Sequence, residues 1–581
     1  MTTIKSFKKV PTAKLLFTLI ILMLISSVTA NANTVTDSVP PSLTESIRTR
    51  LNNKFGNLTA ADTAIIYFQN GTYIIDGTIP IKCNLIMYGE SSTATTIIFK
   101  KPDNTSNFSD DCFLRITGTP KAPISVNISN IKLQLQTHSG IWWLDRSEEK
   151  LLIKVYHAKK FIYNNVINEC ANAVITNLDL RVCSNVTIKN STFTNYNNCY
   201  AGANLSIRGD THNVNIDSCV FNKYGNDEML TFFGQSKNAL LVDSISTGNV
   251  YKDNISVTNN TFNYKNGGNC GEEIPMDVLF TLNPFNPNSS VKAHNVVKDI
   301  TISYNKFNIE KPIHCIAGFS FDQTVTHSGV EFSNNTIDYT TTAGAVNSFR
   351  NDISVNDSSY SRNPIVITHN TTNIHCQVTK GNFSNWWHLS VDGANVIFSD
   401  NKVTDDSTIN SSLIQGYGGN ILITGHHKGG SVTMSGNVIK GLYTLAEFNG
   451  SYDGNGLTIP HFTINANDNS FDGDTHIYCY EIDQLDLNFT NNNFTSRSAA
   501  FFLDEFAEKG SVIFNKNNVN VTNGTGALLV NWTGADLSKS SVNELQVTDN
   551  VFKNVSSSDL ISNFNSFIYK NDVENHSNTF Q

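Results

Sequence analysis

Charge is scarce in this chain. Only 16% of its 581 residues are Asp, Glu, Lys or Arg, and acids outnumber bases by 50 to 41. A net charge of -9 gives no electrostatic basis for gripping nucleic acid or anionic lipid, so no nucleic-acid partner is expected. Proline is rare as well, at 13 residues. The sequence has no C-x-x-C pair, no G-x-S-x-G elbow, no P-loop, no dinucleotide fingerprint and no H-E-x-x-H. Those gaps remove the usual signals for zinc, for a serine-elbow hydrolase, for nucleotides and for a zincin. Nothing demands an organic cofactor. Past the N-terminus no apolar run reaches 18 residues, so the mature chain is not expected to span a membrane.

What the chain has is asparagine, 78 of them, in a composition apolar enough to fold (39% hydrophobic). So much Asn points to many turns or to stacked side-chain amides. Residues 1–32 read as an export signal. Lys5, Lys8, Lys9 and Lys14 precede the apolar run Leu15 to Ile25, and small residues end in Ala30 and Ala32, with cleavage expected after Ala32. A secreted or periplasmic protein follows from that reading. Export permits disulfides among the ten cysteines, and Cys83 with Cys112, or the nearby Cys170, Cys183, Cys199 and Cys219, are candidates whose pairing stays open. The 24 N-x-S/T sequons matter only where the source glycosylates.

The strongest signal is a repeat: an apolar residue, a polar one, a second apolar one, Asn at the sixth place and an apolar residue at the eighth. Copies begin at Val186, Val214, Ile255, Ile300, Val330, Ile365, Val396, Val432, Phe462, Leu487, Val512 and Leu545, about 33 residues apart on average. Asn holds the sixth place in ten of the twelve; Ser191 and Cys219 are the exceptions. Period-2 alternation makes each copy a short strand, a turn and a second short strand. Asn suits the turn because it tolerates left-handed backbone and bonds neighbouring backbone groups. One unit cannot bury its apolar face alone, whereas stacked copies build a continuous core. The fold expected is all-β: a single-stranded, right-handed parallel β-helix (a solenoid) with an N-terminal capping helix. Ser42 to Leu51 supplies that helix, with Ser42 and Glu45 as a capping box. The expected divisions are a signal at 1–32, a cap segment at 33–60, the β-helix at 61–555 and a C-terminal cap or tail at 556–581.

The segment from Ala64 to Glu90 resembles the opening rungs of the pectate-lyase-like (pectin lyase fold) β-helix superfamily, whose "IYFPxGTY" leads to a "SNxxLxGEG" turn; here Gln69 replaces the Pro and Ser91 the last Gly. Further on, NVNIDSCVFNKYGNDEMLTFFGQSKN (213–238) resembles the polygalacturonase-type rung "NVxIxNCxxxxGDDCIAIxSGxSxN". The resemblance puts the family's acidic pair on Asp227 and Glu228, one carboxyl protonating the leaving oxygen and the other activating water. It departs elsewhere: Asn204 stands near the "NTD" aspartate, Asn249 near "GHG", and "RxK" is missing.

A second acidic pair, Glu272 and Glu273, falls on the next repeat, and Arg208 and Asp210 on the rung before. In-register rungs would bring these within about 4.8 Å per step of one another. Crowded carboxylates raise one another's pKa, as a general acid requires. The same cluster offers hard oxygen ligands, which keeps Ca²⁺ possible though not required. Trp386, Trp387 and His388, and the Trp142–Trp143 pair, could line a glycan groove through their aromatic faces, or fill an irregular core rung. Asp392, Asp405, Asp406, His426 and His427 echo the polygalacturonase motif order loosely. The expected function is an exported enzyme cleaving glycosidic bonds in an acidic or complex extended polysaccharide, by hydrolysis before β-elimination. The alternatives are a non-catalytic adhesin or glycan-binding protein and a polyuronate epimerase. A monomer or homotrimer fits either.

Overall fold

The computed structural model describes residues 32–41, 46–100, 112–136, 150–171, 175–196, 203–224, 229–233, 247–265, 278–283, 292–310, 315–321, 325–340, 352–357, 363–375, 377–378, 387–391, 393–406, 408–409, 421–425, 428–449, 459–480, 482–496, 501–504, 509–522, 528–531, 544–557 and 573–581. Strand after strand pairs in parallel with its counterpart one repeat later, which makes the chain a parallel β-helix. The described strands fall on three faces.

The first face carries the V-x-I strands. It runs unbroken from Thr34–Val39 through Thr63–Phe68 and Asn84–Gly89 to Glu544–Thr548 and Val573–His576. The second face holds the strands that follow the Asn turn, such as Thr192–Tyr196, Val220–Tyr224 and Thr261–Tyr264. The third face begins at Ile79–Ile81 and passes through Cys112–Thr117, Lys150–Tyr156, Ile175–Arg181, Leu205–Arg208, Leu230–Phe233 and Val278–Asn283 to Asp352–Asp357. The 33–60 segment thus includes a strand of the ladder, and 556–581 carries its last rung.

All twelve sequence repeats lie on the first face, with one change of register. Ile464, not Phe462, stands opposite Val432, so the stacked Asn of that copy is Asn469 rather than Asn467. A shift of two residues keeps the same side chains inward, so alternation alone does not fix it.

The structure divides the turn between two residues. Left-handed backbone is taken by the fifth-place residue, as at Asn259 (φ 56°), Asn334 (55°), Asp400 (53°) and Asp468 (59°). The sixth-place Asn is buried and builds a ladder from Asn260 to Asn578. Each side-chain Nδ2 donates to a carbonyl of the preceding coil and to the next Asn's Oδ1. That Oδ1 also receives the backbone N–H. Three otherwise orphaned buried groups are satisfied per rung. At the two exceptions the chemistry is improvised. Ser191 Oγ accepts from Val166 N–H and donates to Lys189 O, and Cys219 Sγ lies 3.6 Å from Ile188 O.

Beside the ladder the core is an aromatic stack. Phe193, Phe221, Phe262 and Phe307 follow one another at 5.1, 4.9 and 4.8 Å, with ring planes within 8°. Like residues on in-register rungs must meet at the strand spacing, so the stack follows from the repeat.

The capping helix is Ile47–Phe55, capped by Ser46, whose side chain accepts from Thr49 N–H; the expected capping-box residues Ser42 and Glu45 lie outside the described residues. Ile47, Leu51 and Phe55 form its buried stripe over the first rungs. Arg50 and Lys54 hold Asp37, on the first strand, at 2.6 and 2.7 Å.

Candidate functional site

On the third face the apolar positions point into the core: Ile153 and Val155, Leu178 and Leu180, Leu205 and Ile207. The alternate positions carry charge. Register aligns Arg115 with Lys154 and Lys154 with Asp179. The neighbouring row runs Tyr156, Arg181, Arg208. Asp179 is fully buried and held by two guanidiniums: Arg181 Nε donates to its Oδ2 at 2.6 Å, and Arg208 Nε lies 3.2 Å from its Oδ1. Arg208 Nε also donates to Ser206 Oγ at 2.8 Å. Above the Tyr156 ring centre sit Lys154 Nζ at 5.0 Å and Arg181 Cζ at 5.6 Å.

Four bases and one carboxylate therefore occupy four consecutive rungs of this described patch. Guanidinium and ammonium groups in adjacent rows are the kind of donor that pairs with the carboxylates of an anionic ligand.

Arg208 is thus in the patch. Asp210 is not: its Oδ1 accepts from Tyr251 N–H at 2.8 Å and its Oδ2 meets His212 Nε2 at 3.2 Å, while His212 Nδ1 bonds Asp253 Oδ1 at 2.6 Å. Its carboxylate ties one coil to the next. Asp227, Glu228, Glu272 and Glu273 lie outside the described residues. Their connections nevertheless lead into Leu230–Phe233 and Val278–Asn283, which pair with each other in adjacent rungs, and the first of these pairs with the strand of Arg208.

Trp387 is core, not platform. It is 1% exposed, its Nε1 donates to Thr372 Oγ1 at 3.0 Å and its ring packs edge-on against Phe398. His388 opens the strand His388–Val391, and Trp386, Trp142 and Trp143 lie outside the described residues. Asn204 is buried and donates to Phe193 O and Asn222 O, a structural role. Asp405 ends a second-face strand, and Asp406 pairs with His375 at 2.6 Å. Asp392, His426 and His427 fall outside the described residues.

Cys83 is a free thiol, so it makes no bridge to Cys112. Burial pushes the Cys83 thiol up to about 11 and that of Cys219 up to about 12, and raises Cys170 further. None of these three is a nucleophile at neutral pH. Among the described residues no group of three or more His, Cys, Asp or Glu side chains is arranged to hold a metal ion. No described helix is long and apolar enough to cross a membrane.

Sequence reading missed Lys154, Asp179 and Arg181. The available signal was a recurring apolar-polar alternation one to four residues before the left-handed turn into the first-face strand: Ile153, Lys154, Val155; Leu178, Asp179, Leu180, Arg181; Leu205, Ser206, Ile207, Arg208.

No protein-family model matches the sequence, and no curated protein is similar to it. Among solved structures, the chain is similar to a mannuronic-acid-specific polysaccharide lyase of family 6 from human gut microbiota, at 12% identity over 94% of this chain and 92% of that one, with a TM-score of 0.25. It is also similar to the catalytic domain of a GH87 α-1,3-glucanase, at 12% identity over 93% and 69%, with a TM-score of 0.30. A PL6 alginate lyase follows at 10% identity over 90% and 86%, with a TM-score of 0.21. Similarity at this level carries no functional inference.

Proposed function

We propose that this chain is an exported polysaccharide-degrading enzyme that lays an extended acidic glycan lengthwise along the third face. The observation that supports this reading is the stripe of Arg115, Lys154, Arg181 and Arg208 around the buried Asp179. A solenoid repeats its side chains at a fixed step of about 4.8 Å, so a linear polymer can meet several rungs at once. Guanidiniums bind carboxylates through paired N–H donors, and Tyr156 offers a ring beside them. Asp179 accepts from Arg181 on one oxygen and faces Arg208 with the other, which orients the two arginines.

Acid and base are then assigned to Asp227 and Glu228, with Glu272 and Glu273 of the next sequence repeat as the alternative pair. Hydrolysis would use one carboxylic acid on the leaving oxygen and one carboxylate on water. The cationic floor equally suits β-elimination from a uronate, where carboxylate neutralisation acidifies the adjacent C–H. Calcium, if used, would draw on the same acidic residues.

The test follows reducing ends and the ultraviolet absorbance of unsaturated uronate together, on acidic and neutral polysaccharides, with and without a chelator. Reducing ends alone, lost in Asp227→Asn, support hydrolysis. Absorbance with them makes the enzyme a lyase. A second reading, a non-catalytic glycan-binding protein, draws on the engagement of Asp210 on both carboxylate oxygens. It is upheld if acidic glycan binds, Arg208→Ala weakens that binding and no bond is cleaved.

A further inference from the structure

Where the second face ends, Tyr196 and Tyr224 stand on successive rungs with ring centres 4.8 Å apart and planes 28° from parallel. Lys265 continues the row one rung on, its Nζ 5.7 Å from the Tyr224 ring centre. Tyr224 is therefore flanked on both sides. Among the described residues no second ring flanks Tyr196: the position opposite it on the preceding rung is Ala171, and Tyr196 keeps 38% exposure, among the largest of any described aromatic side chain. Among the described residues the stack ends at Tyr196. Only three residues separate Ala171 from Ile175, where the third-face strand carrying Asp179 and Arg181 begins. Ala171 thus belongs to the coil that carries Asp179 and Arg181, and Tyr196 to the coil that carries Arg208.

We infer that Tyr196 is a sugar-binding platform, on which a pyranose ring takes the place at the Ala171 rung that a further aromatic side chain would fill. A pyranose presents a flat set of axial C–H bonds, which pack on an aromatic face at the spacing the two tyrosines already keep. Its hydroxyls remain free for water and polar neighbours. Lys132 and Glu169, paired at 2.7 Å, lie in the two rungs below Tyr196. This inference rests on the reading that an extended glycan occupies the third face, and it adds a subsite at that face's edge.

The test uses calorimetric titration of the purified full chain with oligogalacturonate, oligomannuronate and neutral gluco-oligosaccharides. Tyr196→Ala is expected to weaken binding roughly tenfold, as loss of one stacked ring does, and Tyr196→Phe to keep it. Ala171→Tyr is expected to extend the stack, leave the melting temperature unchanged or higher, and block binding. The Ala171 variant separates a ligand platform from a purely structural ladder, because it adds packing while removing space. If the wild-type chain binds an oligosaccharide and these three variants bind it equally well, the platform is overturned and the third-face reading stands. If the wild-type chain binds none of the probes, the third-face reading falls and the platform with it.

Discussion

Two residues show how single side chains are used. Asn370 accepts from Asn335 N–H and Nδ2, and donates to Phe332 O and Asn401 Oδ1. Asn370→Ala strands several buried groups, each worth roughly 1–3 kcal/mol, so the coils around it are expected to melt earlier than the rest, which a substitution at an exposed Asn such as Asn53 does not cause. Asp37 is a charge case. Burial raises its pKa, but hydrogen bonds and charges from Arg50 and Lys54 outweigh this and hold it below the ordinary 3.8. A depressed folded value means that its stabilisation is present above the unfolded pKa and lost as pH falls through the folded one. Hydrogen exchange in Thr34–Val39 and in the helix should therefore be protected near pH 7 and accelerate as pH drops below about 4. Asp37→Asn removes the negative charge that Arg50 and Lys54 share and should loosen the same segments at neutral pH by roughly 1–3 kcal/mol.

At the scale of elements, the first and second faces were legible because their strands repeat one pattern: an alternating pair, a left-handed turn, a buried Asn and an aromatic. Phe221 and Phe262 report that packing, since each contacts a ring above and below. Phe262→Ala is expected to cost roughly 3–5 kcal/mol and Phe262→Leu much less, as read from the thermal transition. The third face was harder to see. Its strands sit outside the motif, after connections of variable length, and their charged positions vary from rung to rung instead of repeating. The partners of Asp210 were hidden for a related reason: only the register brings its carboxylate to Tyr251 N–H of the next coil and to His212. Trp387 misled because an aromatic pair carries no mark of which way it points.

For the whole molecule, nearest-neighbour stacking makes stability a sum of local terms, so breaking the ladder in the middle should split unfolding into two steps instead of shifting one. Calorimetry of Asn370→Ala against wild type checks this: two resolved transitions are expected, and one shifted transition would mean that the coils unfold as a unit. Function is also a property of the whole, because a polymer laid on the third face draws on charge from several coils. The most direct measurement of that claim is the salt dependence of binding to oligogalacturonate and oligomannuronate, for wild type, Lys154→Ala, Arg181→Ala and Arg208→Ala. If the account is right, at least one acidic oligosaccharide binds, affinity falls as salt rises, and each variant binds more weakly with a shallower salt dependence. Binding of neutral and acidic oligosaccharides alike, unchanged by salt or by these three substitutions, would contradict it.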